Sequence, residues 1–68
     1  MTSRHYDNII KVYKELILTN SVNNLKELIK EAILERDVCY IQGASTEDVN
    51  NYIIELKYID RLAQDLFQ

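Results

Sequence analysis

Few side chains in this sequence could do chemistry, and their spacing argues against most reactions. His5 is the only histidine and Cys39 the only cysteine among 68 residues. Protein zinc sites take three or four ligands, mostly His and Cys, so one of each falls short of a site within the chain. A nucleophile–histidine–acid arrangement could be assembled only around His5, and no strained nucleophile turn accompanies it. His5 lies in a polar terminal stretch, where a solvated imidazole is the simplest expectation. Cys39 has neither His nor Lys beside it, which predicts an inert, buried thiol. Glu27, Glu31 and Glu35 recur at steps of four. A carboxylate metal centre would need facing carboxylates or histidines from other helices. The row reads instead as a solvated face, mildly unfavourable through like-charge repulsion. Phosphate cradles need several glycines, and Gly43 stands alone. The expectation is a protein with no catalytic residue, no metal and no cofactor, and therefore not an enzyme.

The more informative set is the five tyrosines, at 6, 13, 40, 52 and 58. Tyrosine joins a large apolar body to a polar tip and favours half-buried positions and interfaces. Four of them (Tyr6, Tyr13, Tyr40, Tyr52) fall on apolar stripes and read as core with hydroxyls at the rim. Tyr58 and Ile54 lie off the stripe of their own segment. With Leu34, Val38, Ile41, Leu62 and Leu66 they make the candidate interaction surface.

The elements that must position these residues are helices. There is no proline and one glycine, the two residues that interrupt regular backbone most often. Tyr6, Ile9, Ile10, Tyr13, Leu16 and Ile17 recur at three- and four-residue steps and predict a helix over about 3–18. Thr19-Asn20-Ser21 ends it, and Ser21 is a good N-cap for the next. A second helix over about 22–41 carries Val22, Leu25, Leu28, Ile29, Ala32 and Ile33 on one side, with Tyr40 continuing that stripe. Leu34, Val38 and Ile41 open another stripe on a different side, and a helix apolar on two sides is buried on two sides. A short buried strand at Val38-Cys39-Tyr40-Ile41 is the rival reading of that stretch, since β-branched and aromatic residues dominate it.

Gly43 can take the left-handed conformation that closes a helix. Ser45 then predicts an N-cap, with Asp48 completing an S-x-x-D capping box and Ala44 and Val49 placed for a hydrophobic staple. The third helix, about 46–67, has Val49, Tyr52, Leu56, Ile59, Ala63 and Leu66 as a heptad seam, widened by Ile53, Leu62 and Phe67. So short a link makes helices 2 and 3 an antiparallel hairpin. The fold class is all-α, three helices in one domain spanning 1–68.

Charge narrows the partners. The net charge is −3. It is +1 over residues 1–19 (Arg4, Lys11, Lys14 against Asp7, Glu15), −1 over 20–42 and −3 over 43–68. No basic stripe could neutralise several phosphates, which argues against nucleic acid. The longest apolar run is four residues, Val38 to Ile41, against the ~20 that a membrane helix needs. No apolar segment follows the polar start, so the expected location is the cytoplasm.

The segment Ser45-Thr46-Glu47-Asp48-Val49-Asn50-Asn51-Tyr52-Ile53-Ile54-Glu55-Leu56-Lys57 resembles the last helix of the gpW-like head-completion proteins of tailed phages. They share the S-x-x-D cap, the following aliphatic residue and Y-I-x-E-L. The resemblance implies a protein that closes a filled phage head as a ring of copies, in the host cytoplasm or the virion. The family also has a β-hairpin between its helices, for which the short stretch from Arg36 to Ser45 leaves little room.

Together these features predict a small interaction module that self-associates and also binds an unidentified protein, as a phage or mobile-element assembly component or regulator. The alternative is an inhibitor or counter-defence protein that binds a host protein or sequesters a nucleotide-type ligand. A small-molecule site could arise only at a subunit interface that gathered Arg4, Lys11, Lys14 or Arg36.

Overall fold

The computed structural model describes residues 2–20 and 22–67; of Phe67 the backbone alone is described. It contains three helices: α1 (Ser3–Thr19), α2 (Leu25–Ile41) and α3 (Glu47–Phe67). No strand occurs among the described residues. Val38-Cys39-Tyr40-Ile41 form the last turn of α2, because the helical ladder continues unbroken to a well-made cap.

The caps show why the helices begin and end where they do. Thr2, in extended conformation, accepts a hydrogen bond from the His5 amide on its hydroxyl at 3.2 Å. That satisfies one of the donors that a helix start leaves without a partner. Asn20 takes the left-handed conformation (φ 57°) and its amide donates to the Leu16 carbonyl at 3.1 Å, closing α1.

α2 starts at Leu25, three residues later than its apolar pattern suggests. The expected cap, Ser21, lies outside the described residues. Asn23 and Asn24 are short polar residues whose side chains compete with helical backbone, and they remain in the link. Asn24 makes no side-chain cap bond. Support comes instead from α1: the Glu15 carboxylate accepts from the Asn23 amide at 3.1 Å.

At the other end, Gly43 (φ +73°) donates to the Tyr40 carbonyl at 3.1 Å and Ala44 to that of Cys39 at 2.9 Å. This pair of bonds is a complete Schellman motif. Glycine is needed there because an L side chain is strained at that φ. The cap of α3 differs by one residue from the expected one. Thr46 supplies the first helical carbonyl, accepting from Asn50 at 2.9 Å, so the N-cap is Thr46. The Ser45 hydroxyl accepts from the Glu47 amide at 3.3 Å just outside the helix. Ala44 is exposed and Val49 buried; with Thr46 as the cap, the staple positions fall on Ser45 and Asn50 instead.

Cross-contacts fix the directions. His5 meets Tyr52, and Tyr13 lies beside Glu55 and Tyr58, so α1 and α3 run parallel. Arg4 pairs with Glu35 and Glu15 with Asn23, so α1 and α2 run antiparallel. The path is up, down, up, with α3 packed against both other helices. The core is Ile9, Val12 and Leu16 from α1, Leu25 and Ala32 from α2, and Val49, Tyr52, Ile53, Leu56 and Ile59 from α3. Leu56 and Ile59 are fully enclosed.

α1 sits rotated relative to its expected stripe. Tyr6, Ile10 and Ile17 face solvent, while His5, Ile9, Val12 and Leu16 face inward. At about 100° per residue, the two sets are neighbouring faces of one helix. Tyr40, expected to extend the inner stripe of α2, is 79% exposed, since no residue of α2 beyond Ala32 is fully buried. Leu66 is likewise exposed, because the closed core of α3 stops at Ile59. Cys39 is half-buried.

Candidate functional site

Two arrangements could carry function: a polar cluster joining all three helices, and a set of exposed apolar seams.

The cluster is built on His5. Expected in solvent, it is 1% exposed. Its ring stacks on that of Tyr52, with centroids 4.0 Å apart and planes 9° from parallel. His5 Nε2 lies 3.2 Å from Glu35 Oε2 and 3.4 Å from Arg4 Nη2, and Arg4 Nη2 donates to Glu35 Oε1 at 2.8 Å. One nitrogen cannot both donate to Glu35 and accept from Arg4. The shorter contact to an anionic oxygen favours a hydrogen on Nε2, which leaves Nδ1 as a bare lone pair. Nδ1 is buried with no hydrogen-bond partner. A donor aimed at a neighbour and a lone pair turned inward satisfy the ring better than the reverse. Asn8 Nδ2 completes the cluster by donating to the Tyr52 hydroxyl at 3.0 Å. Glu35, expected on a solvated acidic row, is therefore half-buried and held from two sides.

Chemically the cluster is a clamp. Arg4, His5 and Asn8 come from α1, Glu35 from α2 and Tyr52 from α3, so it fixes the angle at which α1 lies across the hairpin. Beside the clamp, α1 and α2 leave a trough of about 340 Å³ lined by Arg4, Asn8, Leu28, Glu31, Ala32, Glu35 and Tyr52. A second hollow of about 230 Å³ shares Asn8 and Leu28 and continues it past Lys11 and Glu15. No group of three His, Cys, Asp or Glu side chains among the described residues could hold a metal ion. Arg4 pairs with Glu35 at 2.8 Å, and Arg36 lies 3.4 Å from Asp37.

The apolar seams are more extensive. Among the described residues, eleven large apolar side chains are at least about half exposed: Tyr6, Ile10, Ile17, Leu18, Leu34, Val38, Tyr40, Ile41, Ile54, Tyr58 and Leu66. They outnumber the ten of the core. Of the seven expected interface residues, six are exposed and Leu62 is half-buried against the core. The structure sorts them into separate faces. Leu34, Val38 and Ile41 lie on the back of α2, roughly half a turn from Leu25 and Ala32 by helical geometry. Ile54 lies about half a turn round α3 from Tyr52, which meets α1, whereas Tyr58 and Leu62, one turn apart, line the side toward α1.

There they join a seam that the sequence reading assigned to the core: Tyr6, Ile10, Tyr13 and Ile17 on α1. Tyr13 ties the two lines together. Its hydroxyl is pushed above the ordinary tyrosine value of 10.0 by burial first, then by the nearby Glu55 carboxylate and Tyr58. The signal for this seam was present. Positions 6, 10, 13 and 17 repeat the 4-3-4 spacing of 5, 9, 12 and 16 one residue later. The expected stripe already held Ile9 and Leu16 of the second set; His5, read as solvated, and Val12 were the members left out of it.

The chain matches no known protein family, no curated protein and no solved structure. No helix among the described residues is long and apolar enough to cross a membrane.

Proposed function

We propose that this chain is a non-enzymatic protein–protein interaction module that self-associates, acting as an assembly component or as a regulator that covers a surface of another protein. The observation that carries the reading is the surplus of ordered apolar surface. Exposed apolar side chains arranged in heptad-spaced seams are what helices present to other helices. The accessible area supports it: a compact monomer of 8.0 kDa should show about 4,450 Å², whereas the chain shows 5037 Å². The excess is of the same order as the ~800 Å² that each partner contributes to an interface of ordinary size. The long, thin form, 39 × 22 × 15 Å, is the geometric source of the excess.

The short likeness of residues 45–57 to phage head-completion proteins fits an assembly role, in which a ring of copies is the working form. Here the described residues between the first long helix and the capped helix contain α2 and no strand, so the likeness rests on α3 alone.

Absolute mass by light scattering after gel filtration, across micromolar concentrations, tests the proposal. The expected result is a mass of at least twice 8.0 kDa, with a melting temperature that rises with protein concentration. A strict monomer with a concentration-independent melt would remove self-association.

A further inference from the structure

We infer that the copies pair through the outer seam of α1, laid antiparallel against the same seam of a second copy about a two-fold axis near Lys11 and Val12. The inference rests on the self-association proposed above and assigns its surface.

Four features select this seam and this occupant. The first is spacing. Tyr6, Ile10, Tyr13 and Ile17 are separated by four, three and four residues, a pattern that reads the same in both directions. Antiparallel pairing about its centre sets Tyr6 opposite Ile17 of the second copy and Ile10 opposite Tyr13. Every aromatic ring then meets an aliphatic side chain, and no two rings compete for one hole. A two-fold interface requires this self-complementarity, because each contact occurs twice with the roles exchanged.

The second feature is charge. Asp7 and Lys14 lie on the same rim of α1, both exposed, next to Tyr6 and Tyr13 respectively. In the antiparallel arrangement the Asp7 of one copy falls within reach of Lys14 of the other, and the pair recurs by symmetry. In a parallel two-fold pair the Asp7–Lys14 rims of the two copies would lie on opposite sides of the interface, so this ion pair forms only in the antiparallel one.

The third feature is extent. The seam continues sideways onto α3 through Tyr13 and Tyr58, so Tyr58 and Leu62 widen it from one helix to two. A surface two helices wide suits an interface of ordinary size, whereas the back of α2 offers only Leu34, Val38 and Ile41 on a single helix. The fourth is need. Domains this short are marginal unless a disulfide, a metal or self-association supplements the core. The single cysteine excludes an internal disulfide, and no group of metal-binding side chains lies among the described residues. A second copy is the remaining supplement that the chain always has at hand.

The experiment compares the masses of variants whose substituted side chains all lie in solvent in the isolated chain, with helical content checked by circular dichroism. Ile10→Glu should shift the mass from dimer to monomer at concentrations where the wild type is fully paired, while Val38→Glu on the back of α2 leaves the dimer intact. Asp7→Lys should raise the dimer dissociation constant about tenfold, and the exchange Asp7→Lys with Lys14→Asp should restore most of it. Rescue by exchange separates pairing from a general loss of folding. A wild-type monomer would overturn both this inference and the self-association beneath it. A dimer that survives Ile10→Glu and dissociates with Val38→Glu would overturn the surface alone. Failure of the exchange to rescue would overturn the antiparallel arrangement.

Discussion

The two seams of α1 differ in fate although they share a helix, a length and a spacing. The inner one, His5, Ile9, Val12 and Leu16, is closed against α3 and includes the single histidine. The outer one, Tyr6, Ile10, Tyr13 and Ile17, pairs two tyrosines with two isoleucines and is left mostly in water. Apolar content alone therefore does not decide which face of α1 is buried. Burial goes to the face whose shape and polar handles suit the neighbours. His5 supplies a flat ring for Tyr52 and an Nε2 that reaches Glu35, whereas Tyr6 at the same depth would need room for a hydroxyl. The apolar seam left outside becomes available to another molecule.

Substitutions at adjacent positions test that contrast directly, in solutions dilute enough to keep the chain monomeric. The largest difference is expected between Ile9→Ala and Ile10→Ala. Removing the buried side chain should destabilise by about 2–4 kcal/mol, and removing its exposed neighbour by under ~0.5 kcal/mol. Chemical denaturation of the two variants reads the gap; equal losses would mean that the rotation of α1 is wrong. A smaller gap is expected for His5→Ala against Tyr6→Ala. Loss of the stacked ring should cost about 2 kcal/mol, partly offset because the orphaned Nδ1 disappears with it. If Tyr6→Ala proves the more damaging, the clamp does not hold the bundle.

The smallest effect concerns Tyr13, which stands between the seams. Its folded-state pKa is raised above 10.0, chiefly by burial. The unfolded chain thus loses the phenol proton first, and stability that is fully present below pH 10.0 falls as pH rises toward the folded value. Tyr13→Phe should remove that part of the alkaline decline in melting temperature. An identical pH profile in both chains would show that the hydroxyl is as free in the folded state as in the unfolded one.

Much of the architecture was legible residue by residue. The α2–α3 hairpin follows from Gly43, whose left-handed conformation makes the Schellman turn, and from the 3-4 seam of Val49, Tyr52, Leu56 and Ile59. That seam is interior because α3 lies between two helices and its broad stripe has a neighbour on each side. The cap of α3 is displaced by one residue because Ser45 and Thr46 both carry a hydroxyl, and local sequence does not rank them. His5 and Glu35 were not legible at all. They lie thirty residues apart, and neither forms a pattern without the other. The division of the outer residues into two faces was equally hidden, since Leu34 and Ile54 look alike in sequence while lying on different helices that turn different sides to water.

By itself, the sequence determined that there would be three helices, roughly where each would end, and that their apolar residues would exceed what one small core encloses. Those outcomes depend on backbone propensity, capping and local period, which act over a few residues. Tertiary structure alone decided which of two equivalent seams on α1 turned inward, that a lone histidine would become a buried clamp, and which side chains were left for a partner. Those choices depend on how three helices of fixed diameter fill the space between them, and that is settled by contacts among residues remote from one another along the chain.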